Sequence, residues 1–392
     1  MSRGTHFDIA IIGGGIVGLA HAYVAAQKGF KVVVFERTSK SVGASRRNFG
    51  LIWPMGQEAG KYLERAKRSR EIWLELSMKA GFSCHENGSV HLANHQDEWE
   101  VLEEFFENAN DLGYDCQLLN ATAIATKSPA IKLDGLIGGL WSSMEMTVDP
   151  REALDKITAY LDRELNVHFN FDTVVNRIDF PKLYSGNSYW TADQIFVCSG
   201  SDFETLYPET YEDSGMTKCK LQMMRAQIPF YNWQLGPTLC GGLTLRHYTA
   251  FKHCSAIKAL DERFKERNPE FDRWGIHVLL AQNASGELVI GDSHEYGWSP
   301  EPFDKEEINQ IILKYLKTFT ELPPMEITER WHGVYSKLEG KNEFVYSPET
   351  GVTIVNGLGG AGMTLSFGLA EENINRMDAK SRNQHHPVSM KS

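Results

Sequence analysis

At 392 residues the chain is long for a single hydrophobic core, and two intertwined domains are expected. Its 42% hydrophobic and 23% charged content suits a soluble globular protein; its net charge of −11 disfavours nucleic acid or an anionic membrane surface as a partner. An anionic small molecule held by local cations is still allowed.

The apolar run 7–12 predicts a strand, and 19–26 predicts a helix. Between them lies Gly13-Gly14-Gly15-Ile16-Val17-Gly18, the order strand, glycine turn, helix that a dinucleotide site requires. Gly13 permits the tight turn, Gly15 lets the backbone approach a pyrophosphate, and Gly18 lets helix and strand pack closely. The N–H groups of Ile16 and Val17 open the positive end of that helix, where a pyrophosphate sits. Strand 31–35 ends in Glu36, followed by Arg37, about 20 residues past the glycines. A carboxylate there accepts bonds from ribose hydroxyls and repels a 2′-phosphate, so an adenine dinucleotide of the FAD or NAD type is expected. The glycines, His21 and the lack of a basic region beyond Arg3 argue against reading 9–26 as a signal peptide. No other run is long enough to span a bilayer, and a cytoplasmic location is expected.

Farther along, 57–80 carries helical periodicity, and 89–93 and 136–141 predict short strands. Asp149 is a good N-cap for a helix with Pro150 at its first position. Segments 167–171 and 173–178, which includes Val175, precede strand 192–198; that strand ends in a small-residue turn, Ser199-Gly200, able to approach the nucleotide from the far side of the sheet. The region 220–298 is β-rich, with 288–292 its clearest strand, and 306–322 predicts a helix. Strand 352–356 then runs into Gly357-Leu358-Gly359-Gly360-Ala361-Gly362-Met363-Thr364, which starts the last long helix. The polar tail 380–392 is expected to be flexible. The six cysteines include no C-x-x-C pair and no cysteine–histidine group at zinc spacing, so no metal is expected and a reducing compartment suits them.

With Gly43-Ala44-Ser45, Val148-Asp149-Pro150-Arg151 and Cys198-Ser199-Gly200, the two glycine loops make nearly the whole chain resemble the FAD-dependent amine and amino-acid oxidoreductases, the glycine oxidase, monomeric sarcosine oxidase and D-amino-acid dehydrogenase type. A plain NAD dehydrogenase has no reason to return to its sheet with a second glycine-rich helix start. The resemblance implies an α/β + β fold: a Rossmann-like FAD-binding domain (5–80, 150–215 and 330–378) with an inserted mixed-sheet substrate domain (81–149 and 216–329). It implies noncovalent FAD, with the pyrimidine edge of the flavin against Gly360, Ala361, Gly362, Met363 and Thr364. The loop carrying Ser45, Arg46 and Asn48 would lie beneath the flavin, and Val175, Ser199 and Gly200 would complete the cofactor site.

Enzymes of this type remove a hydride from the carbon beside a neutral amine, giving an imine that water hydrolyses to a carbonyl compound; the flavin carries the redox chemistry. Two departures concern the substrate. Relatives that bind a carboxylate use an arginine in a Gly-Leu-Arg-Pro element, where this chain has Gly333-Val334-Tyr335-Ser336-Lys337; sarcosine oxidase uses a lysine where this chain has Thr364. The stretches 48–54 and 241–248 resemble instead a branch associated with aminophosphonate breakdown. A phosphonate needs several donors converging on a tetrahedral dianion, and Arg46, Asn48, Arg246, His247, Tyr248 and Tyr335 are the expected substrate contacts. Arg46 is favoured over Arg47, and on a strand only one of His247 and Tyr248 would face the pocket. Trp53, Trp331, His294 and His332 are read as structural.

The expected reaction is oxidation of 2-aminoethylphosphonate or its N-methyl derivative to phosphonoacetaldehyde, with oxygen or another electron acceptor. The alternatives are an oxidase or dehydrogenase of glycine, sarcosine or a D-amino acid, and a non-catalytic flavin-binding module. No lysine near 288–290 matches the one that promotes reaction with oxygen in sarcosine oxidase, which leans toward a dehydrogenase.

Overall fold

The first strand, His6–Ile12, is apolar without alternation because both of its faces are covered. Ile9 and Ile11 point to one side of the sheet, and Phe7, Ala10 and Ile12 to the other. A computed structural model describes residues 5–230 and 232–385, with side chains as far as 379. In it the first strand pairs in parallel with Val32–Phe35 on one edge and Ser188–Val197 on the other. His168–Asn170 and Val352–Asn356 extend the parallel set outward to five strands. A hairpin of Arg177–Asp179 and Lys182–Ser185, and the antiparallel strand Phe344–Tyr346, complete an eight-stranded sheet.

Helices Ile16–Gln27, Lys61–Ala80, Pro150–Glu164 and Gly362–His385 cover the Ile9/Ile11 face through residues such as Leu19, Trp73, Leu154 and Phe367. Phe203, Leu206 and Tyr211 cover the other. Asp149 caps its helix as expected, accepting the Arg151 N–H at 2.9 Å with Pro150 at the first position.

A second, nine-stranded mixed sheet takes strands from 89–142 and 217–337. Its longest pair is Thr217–Gln227 against Glu326–Lys337, antiparallel along nearly the whole length. Helices Gln96–Ala109, Ile257–Arg267 and Glu306–Phe319 pack on it through Phe105, Phe264 and Ile312 among others.

Several local expectations change. The boundary placed at 330 falls inside strand Glu326–Lys337, which belongs to the second sheet. The region 220–298 is not uniformly β: it contains helices Leu243–His247, Ile257–Arg267 and Pro269–Arg273. Of 173–178 only Arg177 and Ile178 are strand, within Arg177–Asp179. The tail expected from Lys380 is helical to His385, and 386–392 lie outside the described residues. No helix among the described residues is long and apolar enough to cross a membrane.

Candidate active site

Two glycine turns meet across one cavity. At the first, Gly13 has φ +109°, and a Cβ there would strike the Cys198 carbonyl. A Cβ on Gly18 would strike the Gly13 carbonyl, so both glycines are required by close backbone approach. Ser45 Oγ accepts the Ile16 N–H at 2.9 Å, fixing the 43–48 loop against the helix start. Glu36, buried at the end of its strand, accepts the Gly14 N–H at 2.9 Å through Oε2. Its Oε1 accepts the Thr38 N–H at 3.0 Å and the Thr38 hydroxyl at 2.8 Å.

The second turn is held as firmly. Asn356 Nδ2 donates to the Gly200 carbonyl at 2.8 Å, and its Oδ1 accepts the Gly357 N–H at 2.9 Å. Trp73 Nε1 donates to the Met363 carbonyl at 2.8 Å, and the Trp53 N–H donates to Thr364 Oγ1 at 2.9 Å. Helix Gly362–His385 therefore presents a pinned N-terminus to the cavity.

The cavity, about 440 Å³, is long. It runs from Glu36, Arg37 and Val175 past Gly13, Gly15, Ile16, Val17, Ser45, Ser199 and Gly200 to Gly360, Ala361, Gly362, Met363 and Thr364. A Cβ on Gly15 would sit 3.0 Å from Ser45 Oγ, in space a pyrophosphate would need. Trp53 Nε1 and His277 Nε2, on two further lining residues, are buried without a partner among the described residues. A cavity lined both by the first glycine turn and by the N-terminus of the last helix fits FAD.

Beyond the second turn the wall is rich in nitrogen bases and phenols. The rings of His247 and His277 stack at 4.1 Å and 5°. His294 lies 4.8 Å from His247, ring centre to ring centre. Asp292 Oδ1 is 3.2 Å from His277 Nδ1, and Asp292 Oδ2 is 3.9 Å from His294 Nε2. Tyr248, Tyr335 and Lys337 also line this end.

The His247 ring is exposed on the cavity wall. Desolvation by the protein packed around it, with His277, His294, Lys337 and Lys252 nearby, holds its pKa well below the ordinary imidazole value. Burial lowers His294 too, although Asp292 opposes it, and burial lowers the Lys337 ammonium. Burial pushes the Tyr248 and Tyr335 phenols up.

Among the residues expected to contact substrate, Asn48, His247, Tyr248 and Tyr335 line the cavity. Asn48 holds its own loop, donating to the Ala44 and Ser45 carbonyls and accepting the Gly50 N–H. His247 ends a short helix rather than lying on a strand, so both it and Tyr248 reach the wall.

Arg46 and Arg246 do not line the cavity. Arg46 donates to the Ser41 and Arg151 carbonyls and pairs with Asp155; Arg47 lines the wall in its place. Arg246 is clamped by Asp261 at 2.5 Å and Asp272 at 2.8 Å. In both cases acidic neighbours distant in sequence claim the guanidinium. Gly18 serves packing only, and Arg37 pairs with Asp202.

His277, Asp292 and Lys337 escaped the sequence reading as site residues because nothing in their local pattern marks them. His6, Asp8 and Asp193 converge near the surface on the paired inner strands His6–Ile12 and Ser188–Val197, outside the cavity lining.

Comparison with known proteins agrees with this geometry. The FAD dependent oxidoreductase family model matches residues 8–375. Monomeric sarcosine oxidase of Bacillus sp. (strain B-0618) is 22% identical over 202 residues, covering 50% of this chain and 52% of that protein. The chain thus spans about half the length of that relative. Gamma-glutamylputrescine oxidoreductase of Escherichia coli (strain K12) is 23% identical over 407 residues, covering 97% of this chain and 87% of that protein. Among solved structures, glycine oxidase from Geobacillus kaustophilus superposes with a TM-score of 0.75 at 17% identity, over 96% of this chain and 95% of that one.

Proposed function

The chain belongs to the FAD dependent oxidoreductase family, with FAD as cofactor, and we propose that it oxidises the C–N bond of 2-aminoethylphosphonate or its N-methyl derivative, giving phosphonoacetaldehyde. Bound FAD would supply the two-electron acceptor for a hydride leaving the carbon beside the nitrogen. Gly13, Gly15, Ser45 and Glu36 would hold the nucleotide half, and Gly360 to Thr364 the end that takes up charge, where a helix N-terminus favours it.

One observation carries the substrate reading. The cavity lining gathers His247, His277, Lys337 and Arg47 with the phenols Tyr248 and Tyr335, and Asp292 is the carboxylate set against the imidazoles. Such a wall attracts an anionic head group. It also disfavours an ammonium, so the substrate nitrogen is held in the neutral form from which a hydride can leave. Water then hydrolyses the imine, and the nitrogen departs as ammonia or methylamine.

A second reading, oxidation of glycine, sarcosine or another amino acid, is favoured by what the named relatives act on. Steady-state assays that trap the aldehyde with a hydrazine decide between them. A kcat/KM for the aminophosphonates above that for glycine and sarcosine supports the first reading, and the reverse order overturns it. Oxygen consumption in the same assay identifies the electron acceptor.

A further inference from the structure

We propose that the stacked His247–His277 pair, backed by Asp292 and faced by Lys337, is the subsite for the substrate's tetrahedral dianion and takes up one proton as that group binds. The inference rests on the phosphonate reading above and says how that head group would be held.

The pair is built rigidly. The His277 N–H donates to the Asp292 carbonyl at 2.9 Å, and the Asp292 N–H returns a bond to the His277 carbonyl. Asp292 Oδ1 then faces His277 Nδ1, which fixes the tautomer with hydrogen on Nδ1 and leaves Nε2 as an acceptor. That Nε2 has no partner among the described residues. The ring of Tyr248 stands edge-on to both imidazoles, 5.1 Å from His247 and 5.3 Å from His277.

Two parallel imidazoles at 4.1 Å cannot both carry charge. The other groups acting on them weigh against even one charge: His91, His294, Lys252 and Lys337 are neutral or cationic, against the carboxylate of Asp292. A dianion reverses that balance. Protonation of His247, the exposed ring of the pair, turns an acceptor into a donor, and Asp292 steadies the imidazolium from behind through the stacked His277. A singly charged carboxylate gives half the stabilisation, so the subsite distinguishes a phosphonate from an amino-acid carboxylate by charge as well as shape.

Inorganic sulfate, which stays dianionic across the neutral range, is the probe. Its binding to the FAD-loaded enzyme is measured by calorimetry at constant pH in Tris and in HEPES, whose ionisation heats differ. The difference in heat should report uptake of about one proton per sulfate bound. His277→Asn and His247→Asn should each weaken sulfate about tenfold or more and reduce the uptake, with bound-flavin absorbance checking that each variant folds. Lys337→Met should weaken sulfate and leave the uptake in place. Sulfate binding without proton uptake, binding unchanged in both histidine variants, or no binding at all would overturn the proposal. If aminophosphonates still reduce the flavin in that event, the substrate reading stands and only this subsite fails. If only glycine or sarcosine reduces the flavin, the substrate reading fails whatever sulfate does.

Discussion

Glu36 Oε2 accepts the Gly14 N–H at 2.9 Å, so the acid that ends the second strand is fastened to the turn that begins the first helix. Strand, turn and acid thus form one preassembled half-site. Removing the carboxylate leaves the Gly14 N–H without that partner and, in the proposed nucleotide site, would take away the acceptor for ribose hydroxyls. Glu36→Ala should weaken FAD binding by about 10- to 100-fold, the range for a hydrogen bond to a charged group. Flavin fluorescence titration of the apoprotein measures it, and wild-type affinity would contradict the assignment.

Gly18 makes a sharper case. A Cβ there meets the Gly13 carbonyl, whereas a Cβ on Gly297 meets nothing within 4 Å. Gly18→Ala should purify with little or no flavin, while Gly297→Ala keeps its full complement. Equal flavin content in the two variants, read from the visible spectrum, would refute the packing argument.

Arg65 ties the second helix to the C-terminal one. Its guanidinium grips Glu372 with two bonds of 2.7 Å and also pairs with Glu343, and its side chain is almost wholly buried. Arg65→Ala strands both acids beside a cavity and should cost about 3 kcal/mol in urea unfolding. A loss below about 0.5 kcal/mol would place the pair among surface bridges of little consequence.

Acid sensitivity should come from buried imidazoles. Burial holds His91 at about 3 and His21 at about 4, both below the ordinary 6.5. The unfolded chain therefore binds protons that the folded chain refuses, and these groups lower stability as pH falls from 6.5 toward 3 or 4, with no effect above that window. Both ring nitrogens of His91 are buried without a partner among the described residues, so an apolar replacement forfeits no hydrogen bond there. His91→Leu should remove a penalty of about 2 kcal/mol at pH 5 that is absent at pH 7.5. Urea unfolding at the two pH values tests it; an equal gain or loss at both would rule out titration as the cause.

The two glycine turns were legible in the sequence because their signals are local. Gly13 to Gly18, Glu36 and Gly357 to Thr364 each lie within a few residues of the strand that positions them, so spacing alone encodes the turn. The far end of the cavity is assembled from distant segments: His247 closes a five-residue helix, His277 and Asp292 face each other just outside the neighbouring strands Leu279–Gln282 and Leu288–Gly291, and Lys337 ends the long strand that pairs with Thr217–Gln227. Arg46 and Arg246 show the converse, since a cation in a suggestive motif is turned away by Asp155, or by Asp261 and Asp272, whose proximity only the fold reveals. The helix at Leu243–His247 was missed for a related reason: five residues are too few to display a helical period.

The most direct test of the whole account is anaerobic reduction of the purified protein's flavin, followed as bleaching of its visible absorbance. 2-Aminoethylphosphonate, its N-methyl derivative, glycine and sarcosine are added separately. Rapid bleaching by the two phosphonates, with glycine and sarcosine slow or inert, is the predicted result. Bleaching by glycine or sarcosine with the phosphonates inert would contradict the substrate assignment, and a flavin that none of the four reduces would contradict the proposed amine oxidation as well.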